Sequence, residues 1–296
     1  MGAAGSVTSS AERLDLDFPA SIERQFPDVF PAAWSATESI LGMLPGGDFS
    51  ALARHSRGLL GYEWTAYHRC NVVRAVRVAR ALGDAQAAPR RILDFGAYFG
   101  NFSLMAGLLG FQVDAVDSFE AYAPALDRAQ ALMRARGVSV IDFQTVGFDL
   151  LGLTPASYDA VLCLGVIEHI PHSPKDMLEA IDRVLKPNGT LILDTPNLAY
   201  LYKREALAAG RTIFPPIADQ YYTEPPFEGH HREFTTVEVR WMLEQLGHRA
   251  IEVDTFGFSA YAMGVLEGDA LVKHQLMEQD PELRELILAT SVKPVR

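Results

Sequence analysis

The chain has 296 residues, of which 49% are hydrophobic, 10% aromatic and 21% charged; this is apolar enough for a packed core and excludes a disordered or collagen-like chain. Lys and Arg number 26 against 37 Asp and Glu, and the net charge of -11 disfavours general nucleic-acid binding because it repels phosphate backbones. Two cysteines, Cys70 and Cys163, exclude a disulfide framework or a cysteine zinc site and imply a reducing, cytoplasmic setting, and no apolar run approaches the ~20 residues that span a bilayer.

The start, Met1 to Ser6, lacks the charged and apolar regions of a signal peptide, although it fits the loose myristoylation pattern. Proline breaks at Pro19, Pro27, Pro31 and Pro45 precede a helical stretch expected from Glu63 to Leu82. Tyr67, Val72, Val76 and Ala79 fall on one face of it, and Arg74, Arg77 and Arg80 are expected on a solvated face. Gly83 to Pro89 reads as a linker. Residues 1–86 are thus expected to form a helical extension that helps bind substrate, ahead of a core over 87–296.

From Arg90 short apolar strands alternate with helices. Strands are expected at Arg91–Phe95, Phe111–Val116, Val138–Val146, Tyr158–Leu164, Thr190–Asp194, Ala250–Thr255 and Glu285–Ser291. Helices are expected at Asn101–Leu109, Glu120–Arg136, Lys175–Leu185 and Thr236–Leu246. Such alternation predicts an α/β fold, Rossmann-like and doubly wound, with a mostly parallel sheet covered on both faces. Ligands of such sheets bind beyond the carboxyl ends of the strands.

Chemistry-bearing residues cluster at those ends. The turn Asp94-Phe95-Gly96-Ala97-Tyr98-Phe99-Gly100 leads from strand to helix, where glycines allow close backbone approach and fresh N–H groups face an anion. The dinucleotide fingerprint fails, because Tyr98 stands where its second glycine belongs. Asp117 closes the next strand, and its carboxylate can take both hydroxyls of a ribose or cap the following segment. Glu168-His169 follows the fourth strand. Glu228-Gly229-His230-His231 lies in a long insertion, residues 198–235, able to fold over a substrate.

Four blocks in this order resemble the class I S-adenosylmethionine-dependent methyltransferases: Leu93 to Gly100, Asp117, Tyr158 through Ile170, and Leu185 to Leu193. The resemblance covers Arg90 onwards and implies a seven-stranded sheet with S-adenosylmethionine as cosubstrate. By position it implies Asp94 and the Gly96 carbonyl at the methionine ammonium, Asp117 at the ribose, and Phe148 or Asp149 at the adenine. Tyr98, Gly100, Ser118 and Leu164 complete the expected cofactor lining. The family's usual glycine at Tyr98 is missing.

Methyl transfer to a hydroxyl of a small molecule, a sugar or natural product for example, needs the hydroxyl's proton removed. His231 is the first expected base and His169 the second, with His230 nearby and Glu168 orienting. An aromatic pocket from Tyr62, Trp64, Tyr67, His68, Tyr221 and Tyr222 suits a ring-bearing acceptor, and Arg69 is a candidate for the cofactor carboxylate. Transfer to carbon or nitrogen stays open, as do a non-catalytic cofactor-fold protein and an NAD-dependent dehydrogenase. The Glu-His pair also resembles the metal set of RNA 3′-end and quinone O-methyltransferases. With the first glutamate of that set replaced by Gly165, a divalent ion would rest on Glu168, His169 and His231. No membrane partner is expected, and oligomeric state is left open.

Overall fold

The computed structural model describes residues 13–54, 56–59, 61–83 and 90–295. The expected linker from Asp84 to Pro89 and the start from Met1 to Ser6 lie outside the described residues. The first part comprises β1 (Leu14–Asp15), α1 (Ala20–Gln25), α2 (Phe30–Met43), α3 (Trp64–Cys70) and α4 (Val72–Leu82). The second runs through β2 (Arg91–Phe95), α5 (Asn101–Leu108), β3 (Gln112–Asp117), α6 (Asp127–Ala135), β4 (Ser139–Asp142), α7 (Phe143–Val146) and β5 (Tyr158–Leu164). Then come α8 (Lys175–Val184), β6 (Leu185–Pro196), α9 (Leu201–Ala208), α10 (Ile217–Tyr221), α11 (Thr236–Gln245) and β7 (Arg249–Phe256). Finally β8 (Val265–Leu266), α12 (Gly268–Gln279) and β9 (Leu286–Val292) close the chain.

Seven strands form one sheet in the order β4-β3-β2-β5-β6-β9-β7, parallel except for β9, which runs antiparallel to both neighbours. The predicted fold class is therefore borne out. Strand side chains alternate between two cores, as the two-residue period demands. Ile92, Leu162 and Ile192 pack with α1, α2, α4 and α5 on one face. Leu93, Val161 and Leu191 pack with Met177, Ile181 and Leu243 on the other. The first-part helices thus share a core with the sheet, and Leu14 pairs with Leu266 across β1 and β8.

Several elements differ from expectation for identifiable reasons. The long helix keeps its path but divides at Asn71, whose side chain accepts a hydrogen bond from Arg74 Nη1 at 3.1 Å. Helix α6 starts only at Asp127, because Pro124 lacks a helical N–H and its ring excludes the turn before it. Strand β4 stops at Asp142, where the carboxylate accepts the Gln144 N–H at 2.9 Å and starts α7 instead. Arg74 is not solvated: it is 6% exposed, and its guanidinium forms two bonds to Asp194 at 3.0 and 2.8 Å. Among the described residues no helix is long and apolar enough to cross a membrane.

Candidate active site

The turn after β2 holds three left-handed residues, Gly96 (φ 81°), Tyr98 (φ 49°) and Gly100 (φ 82°). A Cβ at Gly96 would run into Val166, and one at Gly100 into the Met133 thioether, so close packing fixes both glycines. Tyr98 keeps the backbone shape that a glycine normally supplies, at the steric cost a side chain brings there. Its N–H donates to Asp117 at 2.7 Å, and its ring packs against Phe99 and Tyr122 at 4.7 and 6.0 Å.

Asp117 is buried at the tip of β3 and accepts N–H bonds from Tyr98 and Ser118, the latter at 2.6 Å. Burial pushes its carboxyl up to about 6 against those two bonds. Each oxygen retains acceptor capacity for a ligand hydroxyl. Asp94 lies buried one strand over, with the Ser103 hydroxyl donating to it at 2.5 Å. Its carboxyl is pushed up to about 7, by burial first and by the Asp117 charge as well. Two such acids invite a cationic ligand, which would return both to the ionised form.

A cavity of about 660 Å³ opens beside Asp117, within the range of small-molecule sites, and the expected cofactor residues Asp94 and Gly100 lie behind its wall and do not line it. Gly96, Tyr98, Asp117, Ser118, Phe148 and Leu164 line it, and Phe143 adds an aromatic face that the strand expectation hid. Phe148 packs on Phe143 and Phe95 at 5.4 and 5.8 Å. Asp149 is not brought to the cavity; its carboxylate accepts the Leu151 N–H at 3.2 Å within a turn.

Across the cavity the insertion docks on the segments that follow β5 and β6. The Glu168 carbonyl accepts the His231 N–H at 2.7 Å, and Asn197 bridges to Phe234. This register turns His230 inward and His231 away. The His231 ring donates from Nε2 to the Phe227 carbonyl at 2.9 Å and does not line the cavity, whereas His169 and His230 do, with ring centroids 4.8 Å apart. The expected first base, His231, is thus not brought to the cavity, whereas its neighbour His230 lines it.

Hydrogen-bond partners set the tautomers. His169 Nδ1 faces the Glu228 carbonyl at 2.6 Å, an oxygen that only accepts, so this nitrogen carries the hydrogen and Nε2 keeps its lone pair. Burial and the neighbouring His230 push His169 down to about 4, so the ring is neutral. His230 Nδ1 donates to Glu233 at 2.9 Å. Against the upward push of burial, His230 and the Lys203 ammonium hold Glu233 below the usual carboxylate range. Glu168 lies behind this wall with Thr195 donating to it at 3.0 Å, and burial pushes it up to about 7.

Glu168, His169 and His230 each offer a ligand atom within 4.8 Å of the others. Helix α3 supplies Trp64, Tyr67 and His68 to the cavity and the loop before it supplies Tyr62, as expected, while Tyr221 and Tyr222 are exposed and stand outside it. Arg69 is exposed and packs over Phe18 at 5.6 Å, away from the cavity.

Known proteins resemble this chain in sequence and in fold. The ubiquinone biosynthesis O-methyltransferase of Xanthomonas campestris pv. campestris is 35% identical over 131 residues, 44% of this chain and 52% of that protein. The same enzyme of Pseudomonas savastanoi pv. phaseolicola is 32% identical over 143 residues, 47% and 59% of the respective chains. The chain spans about half the length of the curated relatives it matches. Among solved structures, a SAM-dependent methyltransferase from Archaeoglobus fulgidus shares the fold with a TM-score of 0.50 at 15% identity, covering 75% of this chain and 93% of that one. One from Mesorhizobium loti gives 0.50 at 18%, covering 74% and 97%. A family profile described as a methyltransferase domain matches residues 68–253, more than half the chain, and with the sheet order and the turn at Gly96 it bears out the resemblance read from the sequence: the chain belongs to the methyltransferase-domain family.

Proposed function

We propose that this chain transfers a methyl group from S-adenosylmethionine to a hydroxyl of a small, ring-bearing molecule. Its residues fit the cofactor: Asp117 offers free acceptor positions for ribose hydroxyls, and Asp94 a buried acid that a cation would ionise. Gly96 and Gly100 keep space clear where a Cβ would clash. Bound there, the cofactor supplies an electrophilic methyl on a sulfonium. The protein's own task is then to align a nucleophile and remove its proton.

The observation that carries the hydroxyl reading is the pair of oriented imidazoles, His230 on Glu233 and His169 on the Glu228 carbonyl. His230 accepts the hydroxyl proton while Glu233 fixes its tautomer and faces the charge that develops on the ring. His169, held neutral, receives a hydrogen bond and orients the acceptor. The cavity wall also carries Asp117, Glu228 and Asp219, while the guanidinium of Arg74 is spent on Asp194, so a neutral acceptor suits it better than an anionic one.

The test is methyl transfer to a panel of small hydroxyl compounds by variants of each histidine. His230→Ala should lower turnover by roughly two decades or more and leave S-adenosylhomocysteine affinity intact. His231→Ala, which removes a ring that donates to the Phe227 carbonyl and packs on the Phe227 ring outside the cavity, should lose less than about tenfold. Unchanged turnover in His230→Ala would remove the base assignment.

A divalent ion is a second reading, favoured by the convergence of Glu168, His169 and His230. Each imidazole donates its other nitrogen to a fixed acceptor, as metal-bound histidines do. An ion there would lower the pKa of an acceptor hydroxyl. Metal analysis with activity before and after chelation decides it, since full activity in metal-free protein ends this reading.

A further inference from the structure

The cavity wall has two parts. Gly96 and Asp117 follow strands of the large sheet, whereas Gly58 and Asp219 line the cavity from a short turn at Arg57–Leu59 and from the insertion. Helix α10 lies close on that turn: a Cβ at Gly58 would stand 3.1 Å from Asp219 Oδ2. The Tyr62 N–H donates to the Leu59 carbonyl at 3.3 Å, so the chain bends from Gly58 straight into three rings. Tyr62, Trp64 and Tyr67 stand with centroids 4.9 to 6.2 Å apart, and all three line the cavity. This part of the wall thus joins a carboxylate to an aromatic cluster.

The charges of the lining single out Asp219. The acids there are Asp117, Asp219 and Glu228. Asp117 accepts two backbone N–H bonds, and Glu228 accepts the Tyr122 hydroxyl. The half-buried Asp219 carboxylate has no hydrogen bond or ion pair among the described residues. Arg57, the cation beside Gly58, is exposed, lies over the Tyr222 ring at 5.5 Å and does not line the cavity. The cavity's own cations are taken or absent: Arg74 is paired with Asp194, His230 faces Glu233, and burial pushes His68 and His169 down to about 4, so both rings are neutral.

An unpaired carboxylate beside three uncharged rings suits an ammonium, which donates a charge-assisted hydrogen bond to the acid and is attracted by aromatic faces. We propose that the methyl acceptor is a hydroxylated amine, its ammonium held by Asp219 beside Tyr62, Trp64 and Tyr67 while its hydroxyl faces His230. This rests on the methyl-transfer reading above and deepens it. An amine kept protonated has no lone pair with which to attack a sulfonium, so the same contact directs the methyl group to oxygen.

Three probes that differ in one group test the assignment in protein saturated with S-adenosylhomocysteine: phenethylamine, phenethyl alcohol and hydrocinnamate. The indole N–H resonance of Trp64, assigned by its loss in Trp64→Phe, reports binding in the cavity. The amine should bind at least about fivefold more tightly than the alcohol, with the acid weakest. Asp219→Asn should reduce the preference for amine over alcohol to less than about twofold and change S-adenosylhomocysteine affinity by less than about twofold. Alcohol or acid binding as tightly as the amine in the wild type, a resonance unmoved by millimolar amine, or an undiminished preference in the variant overturns the assignment alone. Failure of the wild type to bind S-adenosylhomocysteine overturns the methyl-transfer reading and this assignment with it.

Discussion

Tyr98 shows how one residue departs from a pattern while the backbone keeps it. A tyrosine at φ 49° is strained, yet its N–H reaches Asp117 at 2.7 Å as part of the same ligand-facing turn. The two acids at the ends of β2 and β3, Asp94 and Asp117, have a consequence for pH. Asp94 and Asp117 are pushed up to about 7 and about 6 from the 3.8 of an unfolded aspartate. The folded state therefore holds more protons than the unfolded one between pH 3.8 and 7, and this part of the stability is full below 3.8 and lost as pH rises through 6 to 7. A cationic ligand favours the ionised acids, so binding should release protons near pH 6.5 and tighten as pH rises through that window. Titration in two buffers of different ionisation enthalpy measures the release; identical heats in both would contradict it. Asp94, Gly96 and Asp117 were legible in the sequence because strand ends fix their places. The choice between His230 and His231 was not, because adjacent residues in an irregular loop have no period, and only the docking of His231 N–H on Glu168 decides which ring turns inward.

Helix α4 illustrates the same limit for an element. Its apolar face was legible, with Val72, Val76 and Ala79 in the core. The fate of Arg74 was not, because its partner Asp194 is 120 residues away on β6. That pair is nearly sealed, with side chains 8% and 1% exposed, so screening by solvent is slight. Arg74→Ala should destabilise the fold by about 3–5 kcal/mol, since it strands a buried carboxylate, and Arg74→Met with Asp194→Leu should recover most of the loss. Denaturant titration measures both; equal loss in the single and double variants would show that the cost is packing alone. Proline and capping overrode periodicity elsewhere, at Pro124 before α6 and Asp142 before α7, where a local rule outranked the apolar pattern.

At the scale of the molecule, strand–helix alternation sufficed for the sheet, because each strand buried on both faces demands covering helices. What it could not show is that α1 to α4 enter the same core as β2, β5 and β6, and that β1 pairs with β8 near the far end of the chain. Those helices should accordingly unfold with the sheet, in one calorimetric transition instead of two. They also contribute Trp64, Tyr67 and His68 to the cavity wall, so cofactor and acceptor would meet between parts far apart in sequence. The most direct test of the whole account is a calorimetric titration of the wild type and of Asp117→Ala with S-adenosylmethionine. The account predicts one ligand per wild-type chain and an affinity at least about tenfold weaker in the variant. Absence of heat in the wild type at millimolar ligand, or equal affinity in both proteins, would contradict it.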